Sequence, residues 1–152
     1  MRLWRISDFT DLRGEGGLFA SGRWHTRGHR IVYLADHPAS ALLEVLVHLE
    51  VVIDDVPANY HLLAVEVPDD VVSRAESVTT SLPDGWMEDI SVSRKLGDDW
   101  LISQRCALLG VPSAIVPYTT NWLLNPRHAD ADAIRVIETI HGVLDPRLLR
   151  KR

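Results

Sequence analysis

The sequence is short of cysteine, of clustered positive charge and of long apolar runs, and each shortage excludes a class of protein. One cysteine in 152 residues, Cys106, cannot close an internal disulfide, which fits a reducing compartment and excludes a disulfide-stapled scaffold. Sixteen basic residues stand against 21 acidic ones, for a net charge of −5, and no block of Lys or Arg occurs apart from the terminal Arg150-Lys151-Arg152. Binding through nucleic-acid phosphates needs a concentrated basic footprint, so direct contact with nucleic acid is not expected. No uninterrupted apolar stretch approaches the roughly 20 residues of a membrane-spanning helix, and the opening MRLWRISDFTD lacks the apolar core of a signal peptide. The expectation is a cytoplasmic protein without membrane attachment. Internal repeats and low-complexity segments are absent too.

What is present reads as an ordinary globule, 46% apolar and 24% charged, of the length of one domain spanning 1–152. Arg2–Ile6 predicts a short edge or opening strand, in which a charged Arg5 ordinarily points to solvent. Residues 7–30 carry Gly14, Gly16, Gly17, Gly22 and Gly28 in a long connection, and a loop of that length in a compact domain is more often functional than idle. Ile31–Ala35 is β-branched and aromatic and predicts a buried strand. Asp36-His37-Pro38 offers a cap and a first-turn proline for a helix from Ala39 to about Leu49, with Ala41, Leu42, Val45, Leu46 and Leu49 on its core face. Further strands are predicted at Tyr60–Val67, Ala114–Pro117 and Ile134–Ile140. A helix is predicted over Trp100–Leu109 after Gly97-Asp98-Asp99, with Gly110 as its stop. Residues 73–97 are polar, with a turn at Pro83-Asp84-Gly85. Short strands and two clear helices imply an α+β fold around a mixed or antiparallel sheet.

The chemistry concentrates in residues 22–50. Arg23 lies in the Gly-rich loop, Tyr33 in the apolar strand ten residues on, and Glu44 in the apolar helix eleven residues further, so a loop-strand-helix unit could gather all three at one cleft. Ser40, Glu44 and His48 share a stripe. Two readings of that stripe are open: the wet side of an amphipathic helix, or a semi-enclosed cleft flanked by Leu43 and Val47. A carboxylate in such a cleft is costly without partners, which makes Glu44 a functional candidate.

Other constellations are weaker. The seven histidines show no zinc spacing; His25 and His29 are four apart but sit in a loop without a third ligand, so no metal site is assigned. Gly14-Glu15-Gly16-Gly17 lacks the strand, helix and lysine of a phosphate loop and reads as a flexible link. Cys106 falls in an apolar helical segment and reads as core packing.

LWRI near the start, GRW at 22–24, VYLA at 32–35, ALLEVLVHL at 41–49, GVPSAIVP at 110–117 and NWLLNP at 121–126 together resemble the RES domain family, in order and over nearly the whole chain. The resemblance implies an ADP-ribosyltransferase-like fold and the toxin of a bacterial toxin-antitoxin pair that consumes NAD as substrate, with no resident cofactor. It places the family's loop arginine on Arg23, its strand tyrosine on Tyr33, its helical glutamate on Glu44 and its serine on Ser113, here expected at a strand start. Arg5 matches a second dinucleotide-binding arginine. Asn121 and Asn125 match an asparagine motif read as structural or loop-positioning, with Asn121 also counted among the dinucleotide contacts. The family commonly has GGRWN, whereas Ser21 precedes Gly22 and His25 follows Trp24 in this chain. The implied partner is an Xre-type helix-turn-helix antitoxin that covers the cleft and binds DNA, within an assembly that includes homo-oligomers as an option.

Nicotinamide leaves NAD as a neutral molecule, so its departure needs no general acid, and one carboxylate beside an oxocarbenium-like ribose can suffice. Glu44 fits that role, Tyr33 offers a ring face to the pyridinium, and Arg23 and Arg5 offer forked donors to the pyrophosphate. Ser113 offers a hydroxyl to nicotinamide or ribose. Water as acceptor makes a glycohydrolase, phosphate an NAD phosphorylase and a protein side chain an ADP-ribosyltransferase. A non-catalytic module that binds NAD or a partner, motivated by Ser21 and His25, and a metal-dependent hydrolase are the readings from other classes.

Overall fold

The computed structural model describes residues 1–48 and 59–149. Leu49, assigned above to a helix core face, and the terminal Arg150-Lys151-Arg152 lie outside the described residues. The strands are β1 (Arg2–Ser7), β2 (Val32–Ala35), β3 (His61–Glu66), β4 (Glu76–Ser77), β5 (Leu108–Pro112), β6 (Thr120–Leu124) and β7 (Arg135–His141); the helices are α1 (Gly16–Phe19), α2 (Pro38–His48), α3 (Asp69–Ser73) and α4 (Ile90–Ser103). They form a seven-stranded sheet in the order β4-β5-β6-β2-β1-β3-β7. Every ladder is antiparallel except β4 with β5, so the fold is α+β with a mixed sheet, as the patterning implies.

Strand alternation sends side chains to two faces. Leu3, Val32, Leu34, Leu63, Val65, Leu108 and Leu124 form one core layer, joined by Val71 of α3. On the opposite face the β1–β3 half packs Ile6 and Ala35 under Ala41 of α2, with Leu42 and Val45 partly buried against them. The β2–β6–β5 half packs Leu109, Val111 and Leu123 under Trp100 and Leu101 of α4. Leu46, assigned to the same helix face as Ala41, is only half-buried. Among the described residues a single register pair, Trp4 with Ala35, joins β1 to β2, whereas β1 and β3 pair over six residues. The sheet therefore opens between β1 and β2 on the face where α2 and α4 lie.

The start of α2 follows its sequence signals. The His37 imidazole Nδ1 accepts from the Ala39 N–H at 3.1 Å, capping the helix, and Pro38 takes the first turn.

Several expectations need correction. Of the two options for Arg2–Ile6 the opening strand holds and the edge does not, since β1 lies inside the sheet between β2 and β3. Gly16 and Gly17 form part of α1 instead of a featureless link. The second long helix begins at Ile90, capped by the Asp89 side chain on Ser91 N–H, and ends at Ser103; Gly97 is inside it. Cys106 thus follows the helix, though it is buried in the core, accepting from Trp100 Nε1 and donating to the Leu108 carbonyl. The strand placed at 114–117 is β5, six residues earlier, and Ser113 follows its end. β6, which overlaps the asparagine motif, is a strand that the sequence patterning does not predict. Among the described residues no helix is long and apolar enough to cross a membrane.

Candidate functional site

The opening between β1 and β2 is a pocket of about 230 Å³ whose wall includes Arg5, Arg23, Tyr33, Glu44 and Asn121. Five of the six candidate residues therefore meet there, carried by β1, the loop before β2, β2 itself, α2 and β6. Apolar side chains, among them Trp4, Leu34 and Val45, form most of the remaining lining. A second pocket of about 260 Å³ shares Arg5, Ile6 and Tyr33 with the first and extends towards Gly16, Ser21 and His25.

Glu44 is half-buried and held on one oxygen. Its Oε1 accepts from Ser113 Oγ at 2.8 Å and from Asn121 Nδ2 at 2.6 Å. Charge-assisted bonds of this kind are roughly twice as strong as neutral ones, and two on one oxygen fix the plane of the carboxylate. Oε2 has no bond to protein among the described residues, leaving it for a ligand in the pocket. The Asn121 amide must turn its nitrogen to the carboxylate, so its Oδ1 faces away, buried and without a partner.

Ser113 is 8% exposed and its hydroxyl is fully used: it donates to Glu44 and accepts from the Ile115 and Val116 N–H groups, both at 3.1 Å. It is not among the residues lining the pocket. Its place after β5, instead of at a strand start, makes it a positioning residue for the carboxylate that caps the turn at 114–116. Ser113→Ala is expected to cost about 1 kcal/mol, lowering the thermal midpoint by roughly 2–4 °C in a chain of this size, measurable by scanning calorimetry.

Tyr33 sits below the arginine loop, its Oη accepting from the Trp24 N–H at 3.1 Å and lying 2.8 Å from His25 Nδ1. Burial pushes the phenol well above its ordinary range, so it stays protonated and acts as a donor. Gly22 makes this approach possible, because a Cβ there would stand 2.5 Å from Tyr33 Oη and 3.0 Å from the His25 ring. Arg5 does not point freely to solvent: its Nη1 donates to the Asp11 carbonyl at 2.7 Å, and burial lowers its pKa to about 10, which leaves it charged at neutral pH. Arg23 donates through Nη2 to the Met87 carbonyl at 2.8 Å and lies 5.6 Å from the ring centroid of Trp86, so its aromatic partner is Trp86 and not the adjacent Trp24. Trp86 in turn stacks at 5.4 Å on Trp24.

The residues that hold the arginine loop were missed by sequence reasoning. All lie on α4: Ser93 Oγ donates to the Arg23 carbonyl at 2.7 Å, Arg94 Nε to the Gly22 carbonyl at 2.9 Å, and Asp98 accepts from the Thr26 N–H and hydroxyl. The available signal was the spacing of Ser93 and Gly97, small residues four apart on one helix face. Asn125 lies away from the pocket, pinning the end of α4 through Nδ2 to the Leu101 carbonyl at 3.1 Å. Among the described residues no group of three or more His, Cys, Asp or Glu side chains is arranged to hold a metal ion.

The chain is 48% identical to Toxin Res of Pseudomonas putida, an alignment covering 90% of this chain and 92% of the relative. It is 43% identical to the Prs ADP-ribosylating toxin of a Sphingobium species, over 97% and 96% of the two chains. In three dimensions it matches a chain of the M. tuberculosis MbcT–MbcA toxin–antitoxin complex with a TM-score of 0.72, over 97% of this chain and 86% of the other, at 18% identity, a likeness of fold. The family model described as the RES domain matches residues 2–146. By sequence over nearly its whole length, and with the fold in agreement, this chain belongs to the RES domain family.

Proposed function

We propose that this RES-domain protein is the toxin of a bacterial toxin–antitoxin pair and that its cleft cleaves the bond between nicotinamide and ribose in NAD. The observation that carries the reading is the Glu44 carboxylate, fixed through one oxygen by Ser113 and Asn121 and presenting the other to a pocket also lined by Arg5, Arg23 and Tyr33. As the C1′–N1 bond breaks, its electron pair passes to the pyridinium nitrogen and nicotinamide leaves neutral. The positive charge left on C1′ and the ring oxygen is stabilised by Glu44. Water then adds to C1′ and loses a proton, giving ADP-ribose. The largely apolar wall suits the pyridinium ring, with the Tyr33 face as a cation-π surface worth on the order of 1–2 kcal/mol when desolvated. Arg5 lines both pockets, where the two phosphates of a dinucleotide spanning them would pass.

A second reading keeps the bond cleavage and changes the acceptor. The Sphingobium relative is named an ADP-ribosylating toxin, which supports transfer of ADP-ribose to a protein side chain in place of water. An antitoxin partner is supported by the toxin–antitoxin complex in which the structural neighbour was crystallised, and the partner proposed is a helix-turn-helix protein of the Xre type that covers the cleft. Purified protein incubated with NAD is expected to release nicotinamide, with free ADP-ribose as co-product if water is the acceptor and a mass increment on a lysate protein if a side chain is. No nicotinamide above a buffer control, at high protein concentration and with lysate present, would sink both readings.

A further inference from the structure

Tyr33 belongs, with Arg5 and Ile6, to the wall shared by the two pockets, and what fixes it is a buried histidine. His25 is 3% exposed. Its Nε2 lies 3.0 Å from the Ala20 carbonyl oxygen, which can only accept, so Nε2 carries the ring proton. Nδ1, 2.8 Å from Tyr33 Oη, is then the bare nitrogen, and the phenol donates to it. With the Trp24 N–H donating to the same oxygen, Tyr33 Oη gives one bond and takes one. Gly22 leaves the space that the pair occupies.

We infer that His25 is the positioning residue for Tyr33, a neutral imidazole whose tautomer is locked by Ala20 and whose bare nitrogen holds the phenol at the junction of the two pockets. The inference rests on the reading of the cleft as an NAD site. Protonation of His25 places a second N–H against Tyr33 Oη, which already accepts from Trp24. The oxygen can accept from both N–H groups, so the bond to the histidine reverses direction and persists, while the phenol proton must turn away to another acceptor. The groups that face the imidazole set when this happens. Asp98 of α4 favours the charged form; His29 in the same loop opposes it; α1 and the residues after it present only the Gly17 and Ala20 backbone; Arg5 of β1 lines the same second pocket. Arg94 and Glu44 act on the Tyr33 side. Burial is the largest influence and lowers the His25 pKa below its ordinary value, so the phenol donates to the imidazole at neutral pH and the bond reverses on acidification.

The test combines two readouts on the full chain. In protein labelled with nitrogen-15 histidine, His25 is expected as the Nε2–H tautomer at neutral pH, and Tyr33→Phe, by removing the donor to Nδ1, should move its titration upward. In NAD cleavage, His25→Phe and Tyr33→Phe should each raise KM about tenfold with kcat changed less than about threefold, and the double variant should be no worse than either single one. His25→Gln, which can accept from the phenol and donate to Ala20, should restore KM. An Nδ1–H tautomer, additive effects, a wild-type KM in His25→Phe, or a KM in His25→Gln no better than in His25→Phe would each overturn the inference. If wild-type protein cleaves no NAD, it is the functional reading that has failed, and the tautomer and titration then decide the role of His25 alone.

Discussion

Glu44→Gln is expected to lower nicotinamide release by about a thousandfold or more, the scale of losing one preorganised electrostatic partner of a transition state. Glutamine keeps the length of the side chain, and its carbonyl can accept from Ser113 and Asn121 as the carboxylate does. The difference between the two proteins is then the negative charge offered to the ribose. The thermal midpoint should stay within about 4 °C of wild type, the shift produced by roughly 1 kcal/mol in a chain of this size. Because the charge acts in the transition state, kcat should fall with KM nearly unchanged. A variant that folds and still cleaves NAD at the wild-type rate would remove Glu44 from the mechanism, and one that loses affinity alone would make it a binding group.

The second large effect is expected far from the carboxylate, at Gly97→Ala. In an ordinary helix interior this change stabilises by about 1 kcal/mol. Here a Cβ would lie 1.7 Å from the Trp24 carbonyl oxygen and 2.8 Å from its carbon. Both are backbone atoms, so no rotamer relieves the clash; α4 has to withdraw from the arginine loop. Overpacking of this kind costs about 3 kcal/mol or more, so the net loss should be about 2 kcal/mol, or roughly 4–8 °C in the thermal midpoint. Withdrawal would also weaken the bonds from Ser93 to Arg23 O and from Arg94 to Gly22 O, so activity should drop even at temperatures where the variant is folded. A more stable Gly97→Ala protein would mean that the loop and α4 are not in contact as described.

That contact also explains what could be read from the residues alone. β2, β3, β7 and α2 are legible because their own residues carry the signal: β-branched and aromatic side chains in the strands, with Leu63 and Val65 on one face of β3, and an apolar stripe at helical spacing in α2. α4 is not, because its buried face is Ser93, Gly97, Trp100 and Leu101: the first half meets backbone, not side chains, so small residues replace the apolar stripe. Gly97 then looks like a helix boundary, and the helix is read ten residues too late. Gly110 misleads in the same way, resembling a helix stop while sitting in β5. β6 is masked by Asn121, a residue disfavoured in strands whose value here is its bond to Glu44. Of the site, the arginine, tyrosine and glutamate were legible as one unit because the local chain carries them. The bonds that Ser113 and Asn121 make with Glu44 span 69 and 77 residues, and no local pattern encodes them.

The sheet is continuous in order yet joined between β1 and β2 by one register pair among the described residues. Mechanically it is two panels with a seam, β3, β7 and β1 on one side and β2, β6, β5 and β4 on the other. A ligand lodged at the seam touches both panels and acts as a keystone, replacing the cohesion that a longer ladder would give. Its binding free energy then adds to that of the folded chain by mass action, about 2.7 kcal/mol at a hundred times its dissociation constant. If a substrate binds in this gap, the empty protein is the looser state of the two.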